Sequence, residues 1–282
     1  MQTCRTIEEI RSVVKSLKMA GKKIAFIPTM GALHEGHLSL IREAHQHGDA
    51  VLVSIFVNPE QFGPNEDYDT YPREFEQDLE KCRDAGVKAV FAPGPEELYS
   101  DKKYLKIDIS DLNRHMCGGS RPGFFEGILL VVNKLFNIIE PDVALFGQKD
   151  IQQFQIIRRL AEEFNHGTEL VMVPISRAND GLALSSRNAY LSSEERKTAP
   201  GLYRSLQYIE KQVNGGVDTP SLLINHQKSE LEAKGFKIDY LNTFSLKTLQ
   251  PVKTLESGET YILAGAVWLG KTRLIDNILI EF

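Results

Sequence analysis

The chain has 282 residues, of which 42% are hydrophobic and 25% are charged, and it carries a formal net charge of −5. This is the composition of a globular protein long enough for one large domain or two smaller ones, and we expect two. The acidic balance argues against a nucleic-acid partner, because such partners normally need a basic face.

The cysteines and the amino-terminal segment indicate the compartment. Cys4, Cys82 and Cys117 are widely spaced and form no C-x-x-C pair, so neither a disulfide framework nor a zinc cluster follows from them. The segment Met1–Leu17 has no apolar core of signal-peptide type, and no run approaches the roughly 18 apolar residues of a membrane span. We therefore expect a cytoplasmic protein with reduced thiols and no membrane contact.

The first predicted elements lead to a loop with two glycines. Thr6 caps a helix that ends near Gly21, and Lys23–Ile27 is a short apolar strand. The loop Pro28–His37 then opens a helix that ends around Gly48. A strand followed by a glycine-containing loop and a helix start leaves backbone N–H groups and a positive dipole end free to bind phosphate.

Two histidines lie at this helix start. His34 and His37 are three residues apart, so they share a face of the first turn. Their H-x-G-H spacing resembles the signature of the nucleotidyltransferase superfamily, in which both histidines donate hydrogen bonds to ATP phosphates. The structural alternative is a helix start that carries two surface histidines. A zinc site is less favoured, because no cysteine or carboxylate lies at ligand spacing.

The alternation of strands and helices continues to about residue 174. Ala50–Val57 is an uninterrupted apolar run, as expected for a central parallel strand, and the turn-rich segment Asn58–Asn65 follows at its carboxyl end, where sheets of this kind bind ligands. The further predictions are helices over Arg73–Ala85, Glu126–Ile139 and Ile151–Phe164, and strands over Lys88–Ala92, Tyr104–Ser110, Asp142–Phe146 and Leu170–Pro174.

A second glycine turn precedes the helix that begins at Ile151. Gly147–Asp150 contains Lys149, which can reach a phosphate as a point charge, and Gln153 lies one turn inside the helix and faces the same cleft. The alternative is a lysine on a solvated helix end, the commoner position of lysines. Further along, Ser185 and Ser186 beside Arg187 form an anion clamp.

Beyond Tyr190 the pattern changes. Helices are predicted over Ser193–Val213 and Thr219–Lys234, followed by strands near Lys237–Thr243, Thr260–Trp268 and Arg273–Ile280. This switch predicts a second domain. We expect residues 1–175 to form an α/β domain with a Rossmann-like parallel sheet, and residues 176–282 to form a smaller α+β domain.

Several segments, in this order and spacing, resemble the pantothenate synthetase (pantoate–β-alanine ligase) family. They are the H-x-G-H loop, Phe56–Phe62, Arg121–Gly123, Phe146–Gln153 and Leu184–Asn188. The resemblance implies a ligase of pantothenate biosynthesis that condenses (R)-pantoate with β-alanine through a pantoyl-adenylate and releases AMP and pyrophosphate. It also implies ATP as a substrate, Mg²⁺, a homodimer, and a C-terminal domain that closes as a lid over ATP.

The resemblance assigns site residues by position. The residues implied to bind ATP are Met30, Gly31, Ala32, Leu33, His34, Glu35, Gly36, His37, Gly147, Gln148, Lys149, Asp150, Ser176, Leu184, Ser185, Ser186 and Arg187. Among them, the catalytic set is His34, His37, Lys149, Ser185, Ser186 and Arg187. Gln61, Gln153 and Asn58 are implied to bind pantoate, with Gln61 also near β-alanine. The metal ligands are left open, because Gln77 and Asp78 stand where the family often has adjacent carboxylates.

The residue types agree with this reaction. A carboxylate with a pKa near ~4 is already an anion at neutral pH, so its attack on phosphorus needs alignment and charge neutralisation rather than a general base. The amides of Gln61 and Gln153 can orient pantoate without pairing its charge as an arginine would. No residue is identified as the acceptor of the β-alanine proton. Phe124 stands where the family has a histidine, and we expect its ring to form a wall of the acid pocket.

Two other classes share parts of the pattern. A nucleotidyltransferase that moves AMP onto a phosphate-bearing acceptor would carry basic residues in place of Asn58 and Gln61. An ATP-binding regulatory module without turnover would keep the H-x-G-H loop and lose the acid pocket.

Overall fold

The computed structural model describes residues 1–64, 66–102 and 104–282, which form two compact units. The first unit consists of Met1–Ile109 and Arg121–Pro174, and the second consists of Ser110–Ser120 and Ile175–Phe282. No helix within the described ranges is long and apolar enough to cross a membrane.

The secondary structure follows the chain in this order. The strands are β1 (Gln2–Cys4), β2 (Ile24–Thr29), β3 (Ala50–Ile55), β4 (Ala89–Phe91), β5 (Val143–Gly147), β6 (Glu169–Val173), β7 (Phe236–Ser245), β8 (Thr260–Leu269) and β9 (Thr272–Glu281). The helices are α1 (Ile7–Met19), α2 (Glu35–His47), α3 (Phe75–Asp84), α4 (Pro95–Leu98), α5 (Met116–Ser120), α6 (Phe124–Ile139), α7 (Ile151–Glu163), α8 (Ser193–Thr198), α9 (Gly201–Asn214) and α10 (Ser221–Ala233).

The first unit is built on a parallel sheet with the strand order β1-β4-β3-β2-β5-β6. The central strands are buried because helices cover both faces of such sheets, and Phe26 and Leu52 have no exposed surface. From β2 the chain proceeds to β3 and β4 on one side, whereas β5 and β6 lie on the other. The direction therefore switches between β2 and β5, and a ligand crevice is expected at the carboxyl ends of these strands.

The second unit is built on the antiparallel sheet β7-β8-β9. Helices α9 and α10 pack on it through a core that includes Leu206, Ile209, Leu241 and Leu263. The segment 110–120 belongs to this unit.

Polar contacts around Cys117 join that segment to the sheet. Arg273 lies 2.7 Å from Asp239 and 3.5 Å from the sulfur of Cys117, and the Tyr240 hydroxyl is also 3.5 Å from that sulfur. Cys117 is a free, buried thiol.

The predicted fold class is confirmed, with an α/β parallel sheet followed by a smaller unit of helices and antiparallel strands. The predicted strand over Tyr104–Ser110 is wrong, because these residues form no strand. The edge position beside β4 belongs instead to β1, which is too short to show an alternating pattern. The predicted helix Ser193–Val213 is divided into α8 and α9 at Ala199–Pro200, because proline lacks the N–H that a continuous helix needs.

Candidate functional site

The structure brings the predicted site residues of the first unit to one edge of its sheet. Thr29 of β2 pairs with Ile55 of β3, and β2 also pairs with β5. The segments 30–37, 58–61 and 147–150 follow the carboxyl ends of these neighbouring strands. Asn65, at the end of the predicted turn segment, lies outside the described residues.

The loop after β2 turns through left-handed backbone. Gly31 has φ +80° and Ala32 has φ +49°, a conformation that is costly for a residue with a side chain. The Thr29 hydroxyl donates to the Ser54 carbonyl at 2.7 Å and accepts from the Gly31 N–H at 3.2 Å. This turn places His34 at the N-cap of α2.

The hydrogen bonds at the start of α2 determine which ring nitrogen of each histidine carries the proton. His34 Nδ1 accepts from the Gly36 N–H at 3.1 Å, and His37 Nδ1 accepts from the His34 N–H at 3.2 Å. Because each Nδ1 is an acceptor, the proton of each neutral ring is on Nε2. The ring centroids lie 4.2 Å apart, so the site presents a pair of adjacent Nε2–H donors.

Both histidines are neutral at pH 7. Burial, followed by the nearby Lys149, lowers the pKa of His34 to about 4. Burial, followed by the adjacent His34, lowers the pKa of His37 to about 3. They can therefore donate hydrogen bonds to a phosphate oxygen, whereas the positive charge of this edge must come from lysines such as Lys149 and Lys81.

The turn after β5 lies beside these histidines. Both Lys149 and Asp150 are near enough to affect the pKa of His34, which Lys149 lowers and Asp150 raises. Gly147 has φ −77° and ψ 137°, and a Cβ built on it meets nothing within 4 Å. The turn therefore borders open space next to the lysine. Gln148 shares this turn, and Gln153 is half-buried in the first turns of α7.

The loop after β3 holds Gln61 through Asn58. The Asn58 side-chain amide donates to Gln61 Oε1 at 3.1 Å and to the Gly127 carbonyl at 3.0 Å, while its oxygen accepts from the Tyr99 hydroxyl at 2.8 Å. Asn58 is only 1% exposed. Gln61 Nε2 lies 3.0 Å from the sulfur of Met30, which connects this loop with the one after β2.

Glycine is required at residue 127 for this arrangement. A Cβ there would lie 2.0 Å from the Glu60 carbonyl oxygen, which shows how closely α6 approaches the 3₁₀ turn Pro59–Gln61. A side chain at this position would push Gln61 away from Asn58.

Phe124 packs against an arginine. The Arg121 guanidinium carbon lies 3.4 Å from the centroid of the Phe124 ring, a cation–π contact. The same guanidinium pairs with Glu66 at 2.5 Å and lies 3.4 Å from the Gln61 carbonyl oxygen. At least one face of the ring therefore supports Arg121, a contact that the sequence did not indicate.

The remaining predicted ATP residues lie in the second unit. The Leu184 N–H donates to the Ser176 carbonyl at 3.0 Å, so these two positions are adjacent. The Ser185 hydroxyl caps the 3₁₀ turn Ser186–Tyr190 by accepting from the Arg187 N–H at 3.3 Å. This hydrogen bond places the clamp residues Ser185–Arg187 on a single turn.

An ion pair near this turn was not anticipated. Arg177 binds Asp276 through two hydrogen bonds of 2.6 and 2.8 Å and stacks on Tyr203. Since Asp276 is 4% exposed, this pair anchors the start of the loop that carries the clamp residues.

Asp78, Lys81 and Tyr99 are contacts of the first-unit site that sequence reasoning did not assign. Asp78 is 1% exposed and accepts from the Ala32 and Leu33 N–H groups, and Lys81 donates to the Leu33 carbonyl at 2.7 Å. A signal was available for Asp78: it lies on the apolar side of α3, in phase with Leu79 and Cys82. A carboxylate at such a position indicates a buried partner.

Protein ligands for Mg²⁺ do not converge in the described part of the chain, where no group of three or more His, Cys, Asp or Glu residues is placed to hold a metal. Asp78 in particular is unsuited to a metal ion, since both of its oxygens accept backbone N–H groups and almost none of its surface is exposed.

Taken together, these features define a class of protein. The parallel sheet, the H-x-G-H turn at a helix start, and a lysine beside it at the switch point are those of an α/β nucleotide-binding protein. The amide side chains on the neighbouring loop add a site suited to a small polar substrate.

Comparison with known proteins identifies the family. The Pantoate-beta-alanine ligase family model matches residues 2–279. The pantothenate synthetase of Thermosipho africanus is 46% identical over 99% of this chain and all of that protein. The crystal structure of pantothenate synthetase from Thermus thermophilus has a TM-score of 0.92 and 39% identity, with full coverage of both chains.

A third relative carries ligands. The crystal structure of pantoate-beta-alanine ligase from Francisella tularensis, complexed with beta-gamma ATP and beta-alanine, has a TM-score of 0.80 and 36% identity over 99% of this chain and 97% of that chain. The chain belongs to the pantoate-beta-alanine ligase family, and it is accordingly an enzyme of the ligase class.

Proposed function

We propose that the chain condenses (R)-pantoate with β-alanine at the expense of ATP, through a pantoyl-adenylate, and releases AMP and pyrophosphate. The observation that carries this proposal is the pair of neutral Nε2–H donors on His34 and His37 beside Lys149. They lie at the same sheet edge as the amide of Gln61. This edge combines a site for phosphate with a neutral site for an acid.

In the first half-reaction, a carboxylate oxygen of pantoate attacks the α-phosphorus of ATP. The new O–P bond forms as the bond to the bridging oxygen of pyrophosphate breaks, and no proton needs to move. His34, His37 and Lys149 stabilise the negative charge that develops on the phosphate oxygens. The residues Met30–His37 and Gly147–Asp150 line ATP in this proposal. Mg²⁺ would be supplied together with ATP and would neutralise part of the phosphate charge.

Pantoate is held by the amides of Gln61 and Gln153. Because an amide carries no net charge, it orients the nucleophilic carboxylate without reducing its electron density as a guanidinium would. Asn58 has a positioning role: its polar atoms bind Gln61, Gly127 and Tyr99, and its exposed fraction is 1%. Asn58 therefore acts on the substrate through Gln61.

In the second half-reaction, the free amine of β-alanine attacks the acyl carbon of the adenylate. A C–N bond forms, the bond from carbon to the AMP oxygen breaks, and the amine proton leaves to solvent or to AMP. The amine has no activated acyl carbon to attack until the adenylate has formed and pyrophosphate has been displaced, so the two halves occur in a fixed order.

We assign a nucleotide-binding role to the second unit as well. Its turn Ser185–Arg187 offers hydroxyl and guanidinium donors of the kind that bind phosphate, and Ser176 and Leu184 pair directly before it. By family resemblance we propose that this part of the chain acts as a lid domain and that the enzyme is a cytoplasmic homodimer. Sedimentation at several protein concentrations tests the dimer.

The reaction is tested by omission of each substrate. AMP should form from ATP only with pantoate present, and pantothenate should form only when β-alanine is also present. With β-alanine withheld, rapid quench should show one equivalent of pyrophosphate per site. Transfer of AMP to a phosphate-bearing acceptor, or ATP binding without turnover, would refute the proposal.

His37 offers a further test. We expect His37→Ala to reduce pantoate-dependent exchange of labelled pyrophosphate into ATP by about 10² to 10³, the usual cost of removing a donor to developing charge. A circular dichroism spectrum like that of the wild type is the control for folding. Exchange within about threefold of the wild-type rate would show that His37 is structural.

A further inference from the structure

A buried carboxylate holds the turn that precedes the two histidines. Asp78 on α3 is 1% exposed, and its oxygens accept from the Ala32 N–H at 2.8 Å and from the Leu33 N–H at 2.7 Å. One helical turn later, Lys81 donates to the Leu33 carbonyl at 2.7 Å. Consecutive backbone groups of the turn are therefore bound by a single helix.

The turn needs such support because its conformation is unfavourable. Ala32 adopts φ +49°, which an alanine keeps only where the surrounding contacts enforce it. The fit is close: a Cβ on Gly31 would lie 2.9 Å from Asp78 Oδ2. His34 follows directly, and its N–H binds His37, so a shift of the turn moves both rings.

We propose that Asp78, assisted by Lys81, is a positioning residue for the nucleotide-binding turn and does not act as a ligand for Mg²⁺. The proposal rests on the proposed function in one respect, namely that this turn contacts ATP. A ligand for a hard cation must present an oxygen at an accessible surface, whereas Asp78 is 1% exposed and each of its oxygens already accepts a backbone N–H. Gln77, the neighbouring residue, is exposed but neutral.

The pKa of Asp78 helps to distinguish a role in positioning the turn from a role in stabilising the fold. Burial raises the pKa of the Asp78 carboxyl, and the two backbone N–H donors oppose that rise without cancelling it. The ionised carboxylate therefore costs the fold some stability while it holds the turn. The isosteric amide of Asp78→Asn is neutral and removes that cost. Its NH₂ group, however, faces one of the two backbone N–H donors, so one of the two hydrogen bonds to the turn is lost.

The decisive variant is Asp78→Asn, with Glu80→Gln as the matched control, because Glu80 lies on the same helix and is exposed. We expect Asp78→Asn to lower kcat of the pyrophosphate exchange by about 10- to 100-fold, which corresponds to roughly 1.4 to 2.7 kcal/mol. The midpoint of thermal unfolding should stay within a few degrees of the wild-type value. Glu80→Gln should behave like the wild type in both measurements.

The Mg²⁺ dependence distinguishes positioning from metal binding. For a positioning residue, the Mg²⁺ concentration that gives half-maximal exchange is unchanged in Asp78→Asn, and excess Mg²⁺ does not restore the rate. The ring signals of His34 and His37 in the ATP-free enzyme should shift. A tenfold higher Mg²⁺ requirement, with the rate restored at saturation and the histidine signals unmoved, would overturn the proposal.

Lys81 keeps the proposal testable if Asp78→Asn does not fold. Lys81→Met removes the donor to the Leu33 carbonyl and should lower exchange several-fold, whereas Lys81→Arg keeps a donor and should recover most of the rate. Equal rates in all three proteins would count against the proposal. If the wild type itself shows no pantoate-dependent exchange, the proposed function fails, and the role of Asp78 is then judged from the histidine signals alone.

Discussion

Gly147 offers a direct test of where the nucleotide lies. Its φ of −77° and ψ of 137° suit alanine, and a Cβ there meets nothing within 4 Å. Gly147→Ala should therefore leave the fold intact, and by restricting the unfolded chain it can even stabilise it by roughly 0.4–1 kcal/mol. If ATP occupies the open space beside Lys149, the added methyl group meets the nucleotide.

The expected magnitude follows from the cost of an extra methyl group in a filled space. Such overpacking costs about 1–3 kcal/mol. At 1.36 kcal/mol per factor of ten, Gly147→Ala should weaken ATP binding by about 5- to 150-fold. The KM for ATP in the pyrophosphate exchange and the affinity for a non-hydrolysable ATP analogue should both report the loss, while the KM for pantoate should change little.

Gly167→Ala is the matched control. A Cβ on Gly167 also meets nothing within 4 Å and its φ is not in the left-handed range, but it lies in the loop before β6 and away from the predicted site residues. We expect wild-type kinetics from this variant. An ATP KM within twofold of the wild-type value in Gly147→Ala would show that no ligand fills this space. A large fall in its unfolding temperature would show that Gly147 is needed by the fold.

Three further predictions follow from the site. In ¹⁵N-histidine spectra of the ligand-free enzyme, His34 and His37 should show protonated Nε2 at pH 7 and no titration down to about pH 5. Protonated Nδ1 would refute the tautomer assignment, and a midpoint near 6.5 would refute the lowered pKa values. Tyr99→Phe, which leaves the Asn58 oxygen without its hydroxyl donor, should raise the KM for pantoate about tenfold, and an unchanged value would show that Gln61 keeps its position. Phe124→His should lose less than about tenfold in kcat/KM for pantoate, because a histidine ring can still pack against Arg121. A hundredfold change in either direction would contradict this packing role.

The histidines also affect stability in a predictable direction. Their pKa values are about 4 and about 3 in the folded protein, below the ordinary value of 6.5, so between pH 6.5 and pH 3 the unfolded chain binds more protons than the folded one. The contribution of these two histidines to the free energy of unfolding is therefore fully present above pH 6.5. It is lost as the pH falls from 6.5 to 3. Replacing His37 with glutamine should reduce the acid sensitivity of the unfolding temperature.

Much of the first unit could be predicted because its signals are local. An apolar strand, a glycine loop and a capped helix each lie within a few residues, and the family motifs mark the same segments. Asp78 could not be assigned to the Ala32 turn in this way, since the two are separated by more than 40 residues and only the fold brings them together. The histidine tautomers likewise depend on individual N–H directions, which residue spacing does not specify.

Asn58 and Gln61 illustrate a different limit. Their side chains are similar and lie in one motif, and nothing in their order along the chain indicates which amide is buried and which is partly exposed. The burial of Asn58 depends on Tyr99 and Gly127, which come from other elements. Similarly, β1 was missed because a strand of this length acquires its identity only by pairing with β4.

The assignment of Ser110–Ser120 to the second unit affects how the chain can fold and how it can be divided. During synthesis, the residues of the first unit are all available once Pro174 has left the ribosome. Cys117, in contrast, must wait until Tyr240 and Arg273 emerge, more than 100 residues later. A fragment that ends at Pro174 therefore exposes Cys117, because its partners Tyr240 and Arg273 are absent. A fragment that begins at Ile175 in turn leaves Tyr240 and Arg273 without their contacts to Cys117. Expression of the second unit alone would require the 110–120 segment to be supplied through a linker or as a separate peptide.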